Sequence, residues 1–291
     1  MVNVVPFPIA KHVSEQATER SRPALFLALG KSEPPLEVQI DGLTYRRVEI
    51  FKHDSWAATA LYQGPRGLIV CKFHRQAPVG FLSMRWLGNY LAQHETHILR
   101  TLSDLPNIPA WSGDVYVNGK RLRNAIAHEY VPGHPLASKE MLPASFFDEL
   151  EKVLVVLHQR DMAYVDLHKR ENVLVGDNGR PYLIDFQISF VLAHWWPIKS
   201  IFTRALLQLL QQSDMYHLAK HRAKCEIGLK VGTSSVVPPP WWIRAHRLIG
   251  NPFRKFRRGL LVKLGIRDKS GRSSSEAKPE IAFQTPSRHA A

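Results

Sequence analysis

The chain has 291 residues, 45% of them hydrophobic, and a formal net charge of +14 at pH 7. That length and apolar content can bury a sizeable core, which excludes a protein disordered over most of its length. Its two cysteines, Cys71 and Cys225, form no metal-ligand spacing and read as free thiols of a reducing cytosol. The charge is uneven: from Tyr216 to the end there are 16 Lys/Arg against 4 Asp/Glu, so twelve of the positive charges in excess sit in the last quarter. That asymmetry points to an anionic partner, whether membrane surface, nucleic acid or acidic substrate.

The opening M-V-N-V-V-P-F-P-I-A-K has no basic region before its short, proline-broken apolar run, so no signal peptide is expected. Residues 1–35 carry Pro, Ser, Lys and Glu with little periodicity and read as a flexible lead-in, with a short helix around Pro23 to Leu29. From Leu43 to Phe73 the pattern becomes strand-like: L-T-Y-R-R-V-E-I-F, then W-A-A-T-A-L-Y, a turn at Gln63 to Gly67, and L-I-V-C-K-F. The first of these hairpins closes through Lys52-His53-Asp54-Ser55-Trp56, with no glycine. Lys72 interrupts the apolar run of the third strand.

Met84 to Leu105 is a predicted helix whose Leu87, Tyr90, Leu91, His94, Ile98, Leu99 and Leu102 follow three/four spacing, with Glu95 midway. Leu105-Pro106-Asn107-Ile108-Pro109 ends it. A hairpin is expected next, with G-D-V-Y-V and R-N-A-I-A-H-E-Y-V-P-G as its strands around Asn118-Gly119. Ser145 to Arg160 predicts an amphipathic helix with Phe146, Phe147, Leu150, Val153, Leu154 and Leu157 on the apolar stripe and Ser145 as N-cap. His158, near its end, reads as a hydrogen-bonded buried histidine rather than a catalytic one.

Tyr164 to Phe190 reads as a loop, a strand over Asn172 to Val175, a turn at Asp177-Asn178-Gly179, a strand over Pro181 to Ile184, and then Asp185. A loop carboxylate and a second carboxylate joined by such a hairpin are what phosphoryl transfer from ATP requires. One carboxylate orients the attacking hydroxyl; an Asn and the second carboxylate hold Mg²⁺ on the phosphates. Asp166 fits the first role, Asn172 and Asp185 the others. Ile201 to Lys224 is a further predicted helix, and Ser189 to Leu210 is too interrupted by His194, Lys199 and Arg204 to span a bilayer. Val231 to Pro240 reads as a linker. Residues 241–267 interleave Trp, Phe and Leu with Arg and Lys, as a basic amphipathic helix at an anionic membrane would; packing on the rest of the chain, or nucleic acid, are the alternatives. Residues 268–291 are Ser-rich and expected to be disordered.

Taken in this order, Lys72, Glu95, Glu129-Tyr130-Val131-Pro132-Gly133, Asp166, Asn172 and Asp185 resemble the protein-kinase-like superfamily. The resemblance runs from about Leu43 to Ser189, and is to its atypical bacterial branch: the lipopolysaccharide-core heptose and Kdo kinases, or the RIO-type kinases. It implies an α+β, two-lobed kinase-like fold: an N-lobe of a small antiparallel sheet plus a helix (36–131), a mainly helical C-lobe (132–230), and a basic helical C-terminal extension (231–267). It implies that Lys72 reaches the ATP phosphates and that Glu95 pairs with Lys72. Ser55 and the loop amides would donate to phosphate, and the backbone of Glu129 and Val131 would read adenine. Asp166 would act as base on the acceptor hydroxyl, with His168 stabilising the phosphoryl in transfer, and Asn172 and Asp185 would bind Mg²⁺.

The sequence departs from the family pattern at four places, the first being the glycine-free Lys52-His53-Asp54-Ser55-Trp56 loop where the family's phosphate-covering loop is glycine-rich. Tyr164 replaces the His before the catalytic Asp, Asn172 lies six residues after Asp166 rather than five, and D-F-Q stands for D-F-G. No long activation segment follows Asp185, which favours the sugar-kinase or RIO-like branch. The implied function is ATP- and Mg²⁺-dependent transfer to a hydroxyl acceptor, a lipopolysaccharide-core-type sugar at the cytoplasmic membrane face. The alternatives are a RIO-like protein serine/threonine kinase and a nucleotide-binding pseudokinase scaffold. The expected location is cytoplasmic, peripheral on the inner face of the membrane.

Overall fold

The computed structural model describes residues 24–192 and 201–226. After a 3-10 turn at Ala24–Phe26 come β1 (Glu37–Ile40), β2 (Leu43–His53), β3 (Ala57–Gly64), β4 (Gly67–His74), α1 (Arg85–Thr101), β5 (Trp111–Gly113), β6 (Tyr116–Val117), β7 (Lys120–Arg121) and β8 (Ala125–Glu129). The eight strands form one antiparallel sheet in the order β5-β8-β4-β3-β2-β1-β6-β7. The sheet curls on itself: a Cβ added to Gly113 on β5 would sit 2.6 Å from the Ile40 side chain on β1. Val38, Ile40, Tyr45, Ala60, Tyr62, Cys71, Phe73 and Ala127 fill the curl.

Strand alternation then dictates what β4 offers to each side. Ile69, Cys71 and Phe73 join the core of the curl, and Lys72 takes the opposite face, where α1 lies. The α1 stripe is rotated from its expected position. Gly88, Ala92, Glu95, Ile98 and Leu99 are buried, whereas Tyr90 is 59% exposed. Gly88 sets that rotation, because a Cβ there would meet the Arg75 carbonyl oxygen at 2.0 Å, so the helix approaches the end of β4 through this glycine.

The Asn118-Gly119 turn forms as expected, with both residues at positive φ (50° and 73°), but its strands do not pair as expected. The hairpin holds only Tyr116↔Arg121 and Val117↔Lys120. Ala125–Glu129 pairs instead with β4 and β5. A local turn signal names the reversal; the long-range partner of β8 is chosen by burial of Ile126 and Ala127.

The rest of the described chain comprises β9 (Gly133–Pro135), α2 (Phe146–Gln159), β10 (Met162–Ala163), β11 (Val173–Gly176), β12 (Pro181–Leu183), β13 (Phe190–Val191) and α3 (Ile201–Glu226). β12-β11-β9 and β10-β13 are small antiparallel sheets. The whole predicted stripe of α2 is buried, in one core with Ile98, Leu99 and Leu102 of α1 and its C-terminal turn. Ser145 precedes α2 but does not cap it: its backbone is already helical and its hydroxyl donates to Glu149 Oε1 at 3.2 Å. Among the described residues no helix is long and apolar enough to cross a membrane. The readings of the first 23 residues and of residues 231–291 lie outside the described residues.

Candidate active site

Three elements remote in sequence meet at one ammonium. Lys72 of β4 donates from Nζ to Glu95 Oε1 and Oε2 of α1 (3.1 and 2.9 Å) and to Asp185 Oδ1, just past β12 (2.6 Å). Burial opposes the charge on Lys72, yet Asp185 and Glu95 hold its ammonium above its usual range. Burial likewise acts to raise Glu95, but the Lys72 charge overrides it and the carboxylate stays below its ordinary value. Glu95 Oε1 also accepts the Phe186 N–H at 3.1 Å, which fixes the backbone beside Asp185. His74, fully buried, brings Nε2 within 3.2 Å of Glu95 Oε2 without making a hydrogen bond, and burial holds its pKa below the usual value. Asp185 sits at φ 64°, a left-handed conformation that this amide bond helps to keep.

The second carboxylate, Asp166, is fully buried on the loop after β10. Lys169 Nζ donates to its Oδ2 at 2.7 Å. His168 Nδ1 lies 3.1 Å from Oδ1, but Oδ1 makes no hydrogen bond and keeps unused acceptor capacity. Asn172 ends a 3-10 turn over Arg170–Asn172. Its Nδ2 donates to the Asp166 carbonyl at 3.4 Å, and its own carbonyl accepts the Ile184 N–H at 3.1 Å, next to Asp185. Lys72, Glu95 and Asp185 thus form one side-chain cluster, and bonds to backbone groups through Ile184 and Asn172 connect its neighbourhood to the Asp166 loop.

Tyr164 stands where the resemblance expects histidine. Its hydroxyl donates to the Ile184 carbonyl, and its ring meets Phe186 edge-on at 5.1 Å. It thereby ties the Asp166 loop to the Asp185 turn.

Sequence reasoning missed what holds the Asp166 loop. Asp214, fully buried on α3, accepts the Tyr164 N–H on Oδ2 (2.7 Å) and the Val165 N–H on Oδ1 (2.8 Å), with His158 Nε2 at 3.3 Å from Oδ2. Val165 has φ 71°, strained for a β-branched residue, and the carboxylate clamp holds it there. One turn before, Gln211 Nε2 donates to the His158 and Met162 carbonyls (3.1 Å each). Two turns after, His221 Nε2 donates to the Leu167 carbonyl at 2.6 Å, and burial pushes that imidazole down to about 4. Gln211, Asp214, Leu218 and His221 share one face of α3. The available signal was Asp214 itself, the single acid between Ile201 and Cys225.

The β2–β3 loop differs from its expected use. The Ser55 hydroxyl donates to the Phe26 carbonyl at 3.2 Å. Asp54 Oδ1 accepts the Trp56 and Ala57 amides (2.7 and 3.0 Å), and Oδ2 pairs with Lys52 at 2.8 Å. Amides that a glycine-rich loop would offer to an anion are here closed by the chain's own carboxylate. Glu129 ends β8 and Val131 lies on the β8–β9 connection; the Glu129 N–H donates to the Ala110 carbonyl, and His128 Nδ1 lies 2.8 Å from the Glu129 carbonyl oxygen.

No protein-family model matches the chain, and no curated protein matches it. Among solved structures it is similar to the Rio2 kinase of Chaetomium thermophilum in its ADP/Mg²⁺-phosphoaspartate complex, at 14% identity, covering 69% of this chain and 59% of that one, with a TM-score of 0.44.

Proposed function

We propose that the chain is an ATP- and Mg²⁺-dependent phosphotransferase of kinase-like, two-lobed build. One observation carries this reading: a single buried ammonium, Lys72, bridges Glu95 and Asp185, while Ile184, next to Asp185, donates its N–H to the Asn172 carbonyl and Asn172 Nδ2 donates to the Asp166 carbonyl. A structural ion pair needs two members. This arrangement holds a third member, the Asp185 carboxylate, 23% exposed in its side chain, where a cation and a polyphosphate could be received together.

The residues fit the nucleotide and its metal. Mg²⁺ is a hard cation usually bound by one or two carboxylates plus phosphates and water, so Asp185 with the Asn172 side-chain oxygen is an adequate protein share. Bound MgATP would supply the phosphoryl group. Lys72, oriented by Glu95, would hold phosphate oxygens, and Glu129 and Val131 would contribute backbone groups to the base. Asp166 Oδ1 would accept the proton of the attacking hydroxyl, with Lys169 and His168 beside it to balance charge.

The acceptor we infer is an anionic hydroxyl compound, of which a lipopolysaccharide-core-type sugar is one, met at the cytoplasmic face of the membrane. Arg170, four residues beyond Asp166, is near Lys220 and Lys224 of α3: burial, then these like charges, hold the Lys224 ammonium below its usual pKa. A protein serine or threonine is the alternative acceptor. A second reading, a nucleotide-binding scaffold without turnover, is favoured by one feature only, the Asp54 carboxylate closing the loop amides.

The test is Mg²⁺-dependent ATP binding by thermal shift, followed by transfer to sugar and protein acceptors. Wild type should be stabilised by MgATP, by about 3 kcal/mol at a hundredfold excess over Kd, and Lys72→Ala and Asp185→Ala should not. Asp166→Ala should keep binding and lose about 100- to 10,000-fold in turnover. Absence of any MgATP shift in wild type would reject the phosphotransferase; binding with no transfer to any acceptor would move the scaffold ahead.

A further inference from the structure

The segment between β4 and the middle of α1 exposes more apolar surface than any function above uses. Val79 and Leu82 close a tight turn by two reciprocal backbone hydrogen bonds of 3.0 Å, with Gly80 at φ 58°. Phe81 is at its tip and wholly exposed (104%); Leu82 is 53%, Trp86 64% and Tyr90 59% exposed. Trp86 and Tyr90 are one helical turn apart, and their stripe continues through Gln93 and His97 to Arg100, all exposed. Between Gln76 and Arg100 the only acid is Glu95, which is buried against Lys72. Exposed Arg85 and Arg100 flank the aromatic stretch on α1, and no exposed acid of this segment offsets them.

We infer that the Val79–Leu82 turn and the Trp86/Tyr90 face of α1 form a membrane-contact surface that seats on an anionic bilayer. Shape and charge both favour this occupant. A lone phenylalanine held out on a braced turn inserts into a soft phase, and Trp and Tyr suit the interfacial layer beneath. Flanking arginines complement anionic headgroups. The inference does not depend on the phosphotransferase reading.

The surface is joined by hydrogen bonds to the β2–β3 loop. Arg75, buried, donates from its guanidinium to the Ala77 and Pro78 carbonyls at the base of the turn (2.9 and 3.1 Å). The same group donates to the Ser55 carbonyl of the β2–β3 loop (2.7 Å) and to the Leu25 carbonyl (2.9 Å). A bilayer engaged at Phe81 would therefore lie beside that loop.

The experiment uses the full chain with vesicles of phosphatidylcholine, alone or mixed with phosphatidylglycerol. Phe81→Cys labelled with an environment-sensitive fluorophore should shift to the blue on the mixed vesicles only; the native Cys71 and Cys225 are buried, and the unmutated chain controls for their labelling. In cosedimentation, Phe81→Ser with Trp86→Ser should reduce partitioning about tenfold or more, with an unchanged thermal midpoint because both side chains are exposed. Vesicle binding without a shift at residue 81 would overturn the inference by giving the membrane another surface of the chain. So would no binding at all. Concentration-dependent self-association abolished by the double variant, without vesicle binding, would assign the patch to a second copy and overturn it equally.

Discussion

Two carboxylates sit close together in this molecule and are held by opposite means. Asp185 is held by charge: its partner Lys72 is shared with Glu95, and each member of that cluster is ionisable. The backbone of the Asp166 loop is held by geometry. Asp214, Gln211 and His221 of α3 take the amides and carbonyls that flank it and leave its carboxylate to Lys169. A charge cluster tolerates rearrangement when a charged ligand arrives, because the ammonium can exchange one anion for another. A backbone clamp does not exchange. The difference suits a site where one end must receive a polyanion and the other must hold a base still.

The comparison breaks most visibly at Asp214. In Asp214→Asn one of the two backbone N–H groups, that of Tyr164 or Val165, faces an NH₂ instead of an oxygen, and the strained Val165 loses its restraint. We predict a loss of about 3 kcal/mol of stability and a fall in turnover of about 100-fold or more, with nucleotide Kd within about threefold of wild type. Glu95→Gln should do the reverse, weakening nucleotide binding about tenfold and sparing the Asp166 loop. Calorimetric binding beside steady-state kinetics separates the two. Equal effects of both substitutions on Kd would mean that the regions are not mechanically distinct.

That asymmetry also explains what could be read from the residues alone. Lys72 was legible because a charged residue that interrupts an apolar run demands a partner, Glu95 only through the family resemblance and its place midway along the next helix, and Asp185 because a turn-flanked strand leads to it. Asp214 was not, because its partners are backbone amides some fifty residues away, which leave no residue signature. The turn at Asn118-Gly119 was legible, being local, whereas the pairing of β8 with β4 is set by distant burial. The rotation of α1 was misjudged at Tyr90 because periodicity places a stripe without saying which neighbour needs a glycine contact; Gly88 against Arg75 decides it. The reading of Ser55 as a phosphate donor did not include the Ala24–Gly30 segment, whose Phe26 carbonyl takes that hydroxyl.

A smaller effect sharpens the clamp by pH. Burial pushes His221 down to about 4 from 6.5, so between those values the unfolded chain binds a proton that the folded chain refuses. Stability therefore falls as pH drops through that window, by at most about 3 kcal/mol once both states are protonated. His74 and His128, also lowered chiefly by burial, act in the same direction. His221→Gln retains a side-chain N–H for the Leu167 carbonyl and removes the titration. The thermal midpoint of this variant should decline less steeply from pH 6.5 downward. An unchanged slope would show that the imidazole does not titrate in the clamp.

The smallest expected effect lies at the β2–β3 loop, and it decides whether that loop belongs to the charge cluster at all. Ser55 gives its hydroxyl to Phe26, and Asp54 occupies the Trp56 and Ala57 amides, so the loop is braced from within. Ser55→Ala should cost about 0.5–1 kcal/mol, the worth of one partly buried neutral hydrogen bond, and change nucleotide Kd less than about twofold. Asp54→Asn keeps an acceptor for the amides while removing a negative charge, so it should tighten nucleotide binding a few-fold, with the gain shrinking as salt rises. Should Ser55→Ala instead weaken MgATP binding about tenfold while Asp54→Asn has no effect, the hydroxyl must leave Phe26 to meet phosphate. The loop would then be an exchanging element like Lys72 rather than a braced one like the Asp166 loop.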